Sequence, residues 1–388
     1  MSNRPIYLDN AATTYPKPES VYTVMDDFYR QHGGNAGRGT NPLARKSAAL
    51  LDETRLLVAQ WLDASDVIFT ASATMALNTV IFGAGLRDGD IVYTTPFEHN
   101  SVLRPLEYLR QSRGIDLRVL PFDKLTFSCD VDAIEQHFQL DKPALICLTQ
   151  VSNVTGYMPP VERILQAARA ANPAVITVVD GAQAAGLVSV DMSLIDVLVF
   201  SGHKSLYGPY GIAGIALGSD WRPQPLLHGG TGTESESIEM PAIGPSRFEA
   251  GSHNISALAG LNAGVKWLAA TGRDAIRTRI ADLTSCLIDS LAELPGVELF
   301  LPADMSQHYG VVSFMVDGVE SQAMETVLGA RNIAARAGLH CAPWAHELMG
   351  TLACGGTVRV SPGYFNLTDD VATLVGCMRT TSETVLYL

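Results

Sequence analysis

Seven short runs of aliphatic and β-branched residues recur between residues 67 and 217, separated by stretches of helical length. They are Val67–Thr70, Ile91–Thr94, Leu117–Leu120, Ala144–Thr149, Ala174–Val179, Val197–Phe200 and Ala213–Leu217. Most are continuously apolar, the pattern of strands covered on both faces, which an amphipathic surface sheet does not show. Strands of this kind alternating with helices predict an α/β chain built on a doubly wound, mainly parallel seven-stranded sheet. After Gly251 the pattern changes. A helical stretch from about Ser256 to Leu294 leads to Val297–Leu301, Val311–Val316, a further helix and a final strand near Val358–Val360, which predicts a smaller α+β domain closing over the first. The Gly/Pro-rich stretch Pro223–Pro245 lies between the two, and its segment Thr231–Ser237 reads as an ordered or partner-contacting loop. No internal repeat is visible.

With 388 residues, 47% hydrophobic and 17% charged, the chain can bury a large core and form two or more domains. A net charge of -13 and no basic face exclude nucleic acid as a partner. The N-terminus lacks an apolar h-region, and no apolar run reaches the roughly 18 residues that span a bilayer, so no membrane association is expected. Cytoplasmic location follows as the expectation. Six cysteines scattered without a CxxC pair fit a reducing compartment and imply neither a disulfide scaffold nor a zinc or other metal site.

Ligands of open α/β sheets bind beyond the carboxyl ends of the strands, and polar residues cluster there. Ala73-Thr74 open a helix after the first strand, where free N–H groups and the helix dipole suit a phosphate. Glu98-His99-Asn100 follow the second strand and Gln150-Val-Ser-Asn153 the fourth. Asp180-Gly-Ala-Gln183 follow the fifth, and Ser201-Gly-His203-Lys204 the sixth. Burial against an apolar strand disfavours an ammonium, so Lys204 is suited to present the free amine that attacks an aldehyde. Singly, each residue has an ordinary structural explanation as a cap, loop or turn former. Together, an anion nest, an imidazole, an amide, a carboxylate and an amine describe a site for a phosphorylated, protonated aromatic aldehyde such as pyridoxal phosphate.

With these motifs the chain resembles the class V aminotransferase family of pyridoxal phosphate enzymes, and within it the cysteine desulfurases of the group II type. The matching motifs run in order over nearly the whole chain: Tyr7-Leu-Asp-Asn-Ala-Ala-Thr-Thr14, Glu98-His99-Asn-Ser-Val, Val179-Asp180-Gly-Ala-Gln183, Ser201-Gly-His203-Lys204, Arg247-Phe-Glu-Ala-Gly-Ser252 and Arg336-Ala-Gly-Leu-His-Cys341-Ala-Pro. The resemblance implies fold type I of the pyridoxal phosphate-dependent transferases. Residues 15–255 would form the large cofactor-binding domain, and residues 1–14 with 256–388 the small one.

It also implies roles. Lys204 would carry the cofactor as a Schiff base and move the substrate's α-proton. Asp180 would keep the ring nitrogen protonated, Gln183 would bond the ring hydroxyl oxygen, and His99 would stack on the ring while moving protons. Ala73, Thr74, Ser201 and His203 would hold the phosphate, with Ser252, where relatives usually carry threonine, supplied by the second subunit of a homodimer. Asn153 would sit near the substrate or the cofactor hydroxyl, and Arg359 would grip the substrate carboxylate through a bidentate fork.

Cys341 would be the thiolate, favoured by nearby His340 and Arg336, that takes sulfur from L-cysteine, leaving L-alanine and a persulfide for a sulfur-acceptor protein or small thiol. The short stretch between Cys341 and Arg359 predicts a constrained cysteine loop. Selenocysteine lyase, cysteine sulfinate desulfinase or aminotransferase chemistry and a non-enzymatic sulfur-transfer scaffold are the alternatives.

Overall fold

The computed structural model describes residues 4–36, 39 and 41–385. In chain order the first elements are β1 (Ile6–Tyr7), α1 (Glu19–His32), α2 (Pro42–Leu62), β2 (Asp66–Thr70), α3 (Ala73–Gly83), β3 (Ile91–Thr94), α4 (Asn100–Arg113) and β4 (Asp116–Val119). There follow α5 (Val131–Leu140), β5 (Leu145–Thr149), α6 (Val161–Ala171), β6 (Ile176–Asp180), β7 (Val197–Ser201) and β8 (Ala213–Leu217). The remainder is α7 (Ile255–Thr271), α8 (Arg273–Ala292), β9 (Val297–Phe300), β10 (Val312–Val316), α9 (Ser321–Ala330), β11 (Ile333–Ala334), β12 (Arg336–Gly338), α10 (Pro343–Leu348), β13 (Thr357–Val360) and α11 (Thr368–Val385).

All seven expected strands join one sheet, in the order β2-β8-β7-β6-β5-β3-β4. Only β8 runs antiparallel to its neighbours, so the carboxyl ends of β2, β3, β5, β6 and β7 share one edge. Side chains alternate between two buried faces. Leu198 and Phe200 of β7 pack into one apolar cluster and Val197 and Val199 into the other; Ile146 and Leu148 of β5 divide from Leu145 and Cys147 in the same way. Each fully buried aliphatic side chain contributes about 2 kcal/mol, which is why these runs are mostly apolar on both faces. One strand starts later than expected: Asn172 takes the N–H of Ala174 on its side chain and that of Val175 on its carbonyl, a turn that holds both out of β6. β6 therefore begins at Ile176 and ends on Asp180 itself.

The second region is an antiparallel sheet in the order β12-β13-β10-β9, with a short parallel pair β1-β11 beside it. The expected single helical stretch after Ser256 is two helices, because Gly272 at φ 90° takes a left-handed conformation that ends α7 and starts α8. Leu258, Leu261, Val265 and Leu268 of α7 pack in the same cluster as Leu198 and Phe200 of the large sheet, whereas Leu287 and Leu291 of α8 pack with Leu8, Phe314 and Val360. By packing, α7 goes with the large sheet and the change-over falls within α8, later than residue 256. Leu8 lies in the small-sheet cluster. Among the described residues no helix is long and apolar enough to cross a membrane.

Candidate active site

At the shared edge lies a cleft of about 670 Å³. Ala73, Thr74, His99, Asn153, Asp180, Gln183, Ser201, His203 and Lys204 all line it, although they come from five separate strand ends. Local structure fixes each of them. Ser72 caps α3 by accepting the Met75 N–H, which leaves the first turn of α3 facing the cleft. His99 is the N-cap of α4: its Nδ1 accepts from the Ser101 N–H at 3.0 Å and meets Ser101 Oγ at 2.9 Å, and that hydroxyl lies 2.8 Å from Thr74 Oγ1. Gly202 lets Ser201 and His203 flank the cleft, since a Cβ at that position would come within 2.6 Å of the Ile212 carbonyl.

Burial sets the protonation of the site. It pushes the Lys204 ammonium down to about 8, with Arg359 and Arg336 acting in the same direction and Asp180 opposing them. The Asp180 carboxyl is raised by burial, while the Ala182 N–H at 3.0 Å and Lys204 pull it back down. His99 falls to about 4 and His203 to about 3, chiefly through burial with Lys204 adding, so both are neutral imidazoles near pH 7. His203 Nδ1 is buried without a partner among the described residues. A buried carboxylate, a low-pKa amine, a neutral ring and a helix N-terminus in one cleft fit an anionic, aromatic aldehyde with a protonated ring.

Cys341 is not among the residues that line this cleft and stands on different architecture. His340 and Cys341 lie consecutively in the left-handed region, at φ 48° and 59°. Non-glycine residues there cost about 1 kcal/mol or more each. The turn is tied to the cleft: the Asn100 N–H donates to the Cys341 carbonyl at 2.6 Å and Asn153 Nδ2 to the His340 carbonyl at 2.7 Å. Arg336 Nη2 lies 3.9 Å from Cys341 Sγ. His340 does not lend a positive charge to that sulfur as expected. It is buried, its Nε2 faces the Thr357 carbonyl at 3.1 Å, and burial with three neighbouring cations or imidazoles pushes it down to about 2.

Two expected residues are placed differently from the rest. Ser252 is exposed and lines a separate cavity with Ala71 and Met75, away from its own chain's cleft. Arg359 is 1% exposed, and both terminal nitrogens are engaged, Nη1 with the Asn153 carbonyl at 2.9 Å and Nη2 with Asp9 Oδ1 at 2.6 Å. An open bidentate fork is therefore not what the structure presents.

Sequence reasoning missed several neighbours. Thr13, Thr14 and Lys17 converge on the His203 carbonyl, with Lys17 Nζ at 2.6 Å and Thr13 Oγ1 at 2.9 Å, and so hold the peptide that carries Lys204. Glu98 donates nothing to the cleft surface but lies wholly buried behind it, its Oε1 accepting from the Thr149 N–H and Thr95 Oγ1, both at 2.7 Å. Both the Thr13–Thr14 pair and Glu98 stood inside recognised motifs, yet only contacts across more than 50 residues reveal what they touch. The Glu249 of the Arg247–Ser252 motif pairs with both terminal nitrogens of Arg55 at 2.7 and 2.8 Å and accepts the Phe69 N–H, which anchors β2.

The chain belongs to the class V aminotransferase family, whose sequence model (Aminotransferase class-V) matches residues 6–374. It is similar to a probable cysteine desulfurase of Pyrococcus abyssi, with 32% identity over 96% of this chain and 93% of that one. Among solved structures it matches an apo cysteine desulfurase from Thermococcus onnurineus NA1, with a TM-score of 0.91 and 31% identity over 98% of this chain and 96% of that one. It also matches the cysteine desulfurase CsdA from Escherichia coli in an S-sulfonic acid form, with a TM-score of 0.82 and 30% identity over 98% and 95%. These likenesses bear out the fold that the sequence motifs implied.

Proposed function

We propose that the chain is a pyridoxal phosphate-dependent cysteine desulfurase that converts L-cysteine to L-alanine and passes the sulfur to Cys341. The observation that carries this reading is a cleft lined by Lys204 and Asp180 and tied, through the Asn153 side chain on the His340 carbonyl, to the turn that holds Cys341 beside Arg336. Asp180 would hold the ring nitrogen, Gln183 the ring hydroxyl, His99 the ring face, and Ala73, Thr74, Ser201 and His203 the phosphate. When bound, the cofactor supplies an aldehyde for the Lys204 amine and a protonated ring that accepts electrons released from substrate.

Lys204, freed as an amine, moves the proton at the substrate's Cα. Arg359 and Asn153 orient the substrate carboxylate. The Cys341 sulfur attacks the substrate sulfur; an S–S bond forms as the substrate's C–S bond breaks, and the electron pair left on carbon is finally protonated to give L-alanine. Arg336, 3.9 Å from Sγ, places a positive charge beside the sulfur that begins this step. Cys341 keeps a persulfide, which an acceptor protein or small thiol removes. Because the turn is pinned by Asn100 and Asn153 and closed by α10, the persulfide stays in the site, and the acceptor must reach in.

The exposed Ser252 and the loop with fully exposed Ile238 and mostly exposed Ile243 support a homodimer in which Ser252 completes the partner's phosphate site. The six free cysteines fit a reducing cytoplasm. Incubation with L-cysteine followed by peptide mass spectrometry tests the reading. One added sulfur on Cys341, with one equivalent of L-alanine released, is expected; alanine without a sulfur adduct, or sulfur on another cysteine, would refute it.

A further inference from the structure

Arg359 carries its own counter-ion. The guanidinium is cut off from water, and a buried cation needs an opposing charge close by. Other cations surround it: Arg336 is its cross-strand partner in the β12–β13 pair, and Lys204 lies within electrostatic reach of both. Asp9 Oδ1, at 2.6 Å from Nη2, supplies the balancing negative charge.

The hold on Asp9 is one-sided. Among the described residues its carboxylate bonds to Arg359 alone, and it remains 17% exposed while Arg359's side chain is 2% exposed. Its backbone is fixed by the Asp9–Ser361 bridge and by the Asn10 N–H on the Ser361 carbonyl, so the carboxylate can leave by rotating its side chain without moving the chain. Arg359 would keep its aim meanwhile, because Nη1 stays on the Asn153 carbonyl; its buried Nε has no partner among the described residues.

Of the pair only Asp9 keeps appreciable exposure, so a ligand carboxylate coming from solvent toward Arg359 meets Asp9 first. The two carboxylates compete for the same terminal nitrogen, Nη2, because Nη1 is held by the Asn153 carbonyl, and their like charges repel at that distance. One-for-one replacement keeps the balance. We infer that Asp9 is the resident counter-anion of Arg359 and is exchanged for the substrate's carboxylate, turning toward solvent as the amino acid binds. This rests on the reading of Arg359 as the carboxylate-binding residue. Asp9 is then a positioning residue that sets affinity for carboxylate-bearing ligands, and the exchange disfavours amines that lack the carboxylate needed to replace it.

The test uses the holoenzyme with L-alanine, which carries the carboxylate but no sulfur, and L-alaninamide, which lacks the charge. Dissociation constants come from titration of the cofactor's absorbance. In Asp9→Asn, L-alanine should bind about tenfold tighter, the size of a lost competing charge, with L-alaninamide unchanged. L-alanine binding that is unchanged or weaker overturns the exchange. Should the variant fold poorly, the wild-type crystal structure with L-alanine decides: Asp9 turned away from Arg359 supports the proposal, and Asp9 still paired with it overturns the proposal. Arg359→Met separates the two levels. If L-alanine affinity does not fall there, the reading of Arg359 itself is wrong and the exchange falls with it; if it falls while Asp9→Asn does not tighten binding, only the exchange is wrong.

Discussion

The two walls of the candidate site, the cleft at the sheet edge and the cysteine turn tied to it, are built by different means. Lys204, Asp180 and His203 sit at or just beyond the ends of adjacent parallel strands, where ladders on both sides fix Asp180 against Thr149 and Val199. Cys341 sits in a left-handed turn outside any ladder, next to a small antiparallel sheet that supplies Arg336 and Arg359. What joins the walls is a few hydrogen bonds, and Asn153 makes two of them, through Nδ2 to His340 and through its carbonyl from Arg359. The rigid wall suits a group that must be held without moving. The turn suits one that must accept an atom and give it up, and the contrast suggests that holding and reacting can be separated by mutation.

The largest effects should show that separation. Lys204→Ala is expected to reduce alanine formation by about 10⁴-fold or more and to abolish the absorbance band of the covalently held cofactor. Cys341→Ser should reduce alanine formation by about 10³-fold and leave the band in place. Spectra and single-turnover assays of both variants check this. Loss of the band in Cys341→Ser would mean that the turn, through Asn100 and Asn153, helps to build the cofactor wall.

The same division governs how much of the molecule the sequence disclosed. The seven strands and the residues at their ends were legible because a buried strand writes a continuous apolar run, and the polar residue that follows it marks the sheet edge. Asp180 and Lys204 are local to such runs. β12, only Arg336–Gly338, and the pair β1-β11 are too short to leave a periodic signal and exist through partners that are distant in the chain. For the same reason Arg359 was legible as a candidate, whereas its occupation by Asp9, 350 residues away, was not. The break at Gly272 was hidden because both flanking helices are apolar enough to read as one. His340 was expected to act by charge, but its burial could be seen only once the small sheet had closed over it.

Electrostatics crosses the gap that packing leaves. With its ammonium pushed down to about 8, Lys204 loses free amine about tenfold for each pH unit below that value. The rate at which cofactor-free protein captures pyridoxal phosphate should therefore rise about tenfold per pH unit and level off above about 8, as stopped-flow absorbance would record. Arg336 and Arg359, on the opposite wall, lower the Lys204 ammonium further. Arg336→Met should accordingly move the midpoint upward, by a fraction of a pH unit. A midpoint that stays put would show that solvent screens the two walls from each other.

A change that leaves the chemistry of the cleft alone tests the rigid wall from behind. Glu98 is wholly buried with Oε2 unpartnered, and burial, with Asp180 adding, pushes its carboxyl up to about 8. In the unfolded chain a glutamate titrates near 4, so the folded protein binds the extra proton between those values. The stability this contributes is complete below about pH 4 and is lost as pH rises through about 8. Glu98→Gln keeps an Oε1 acceptor for Thr95 and Thr149 and cannot ionise. Its stability relative to wild type should grow by on the order of 2 kcal/mol between pH 6 and 8, seen as a gain of a few degrees in the melting midpoint of cofactor-free protein at pH 8 that shrinks at pH 6. A difference that does not change with pH would mean that Glu98 takes no proton in this range. Asp180 would then be the group behind the cofactor whose charge burial controls, and the acid behind it would act as a structural clamp on the ends of β3 and β5 alone.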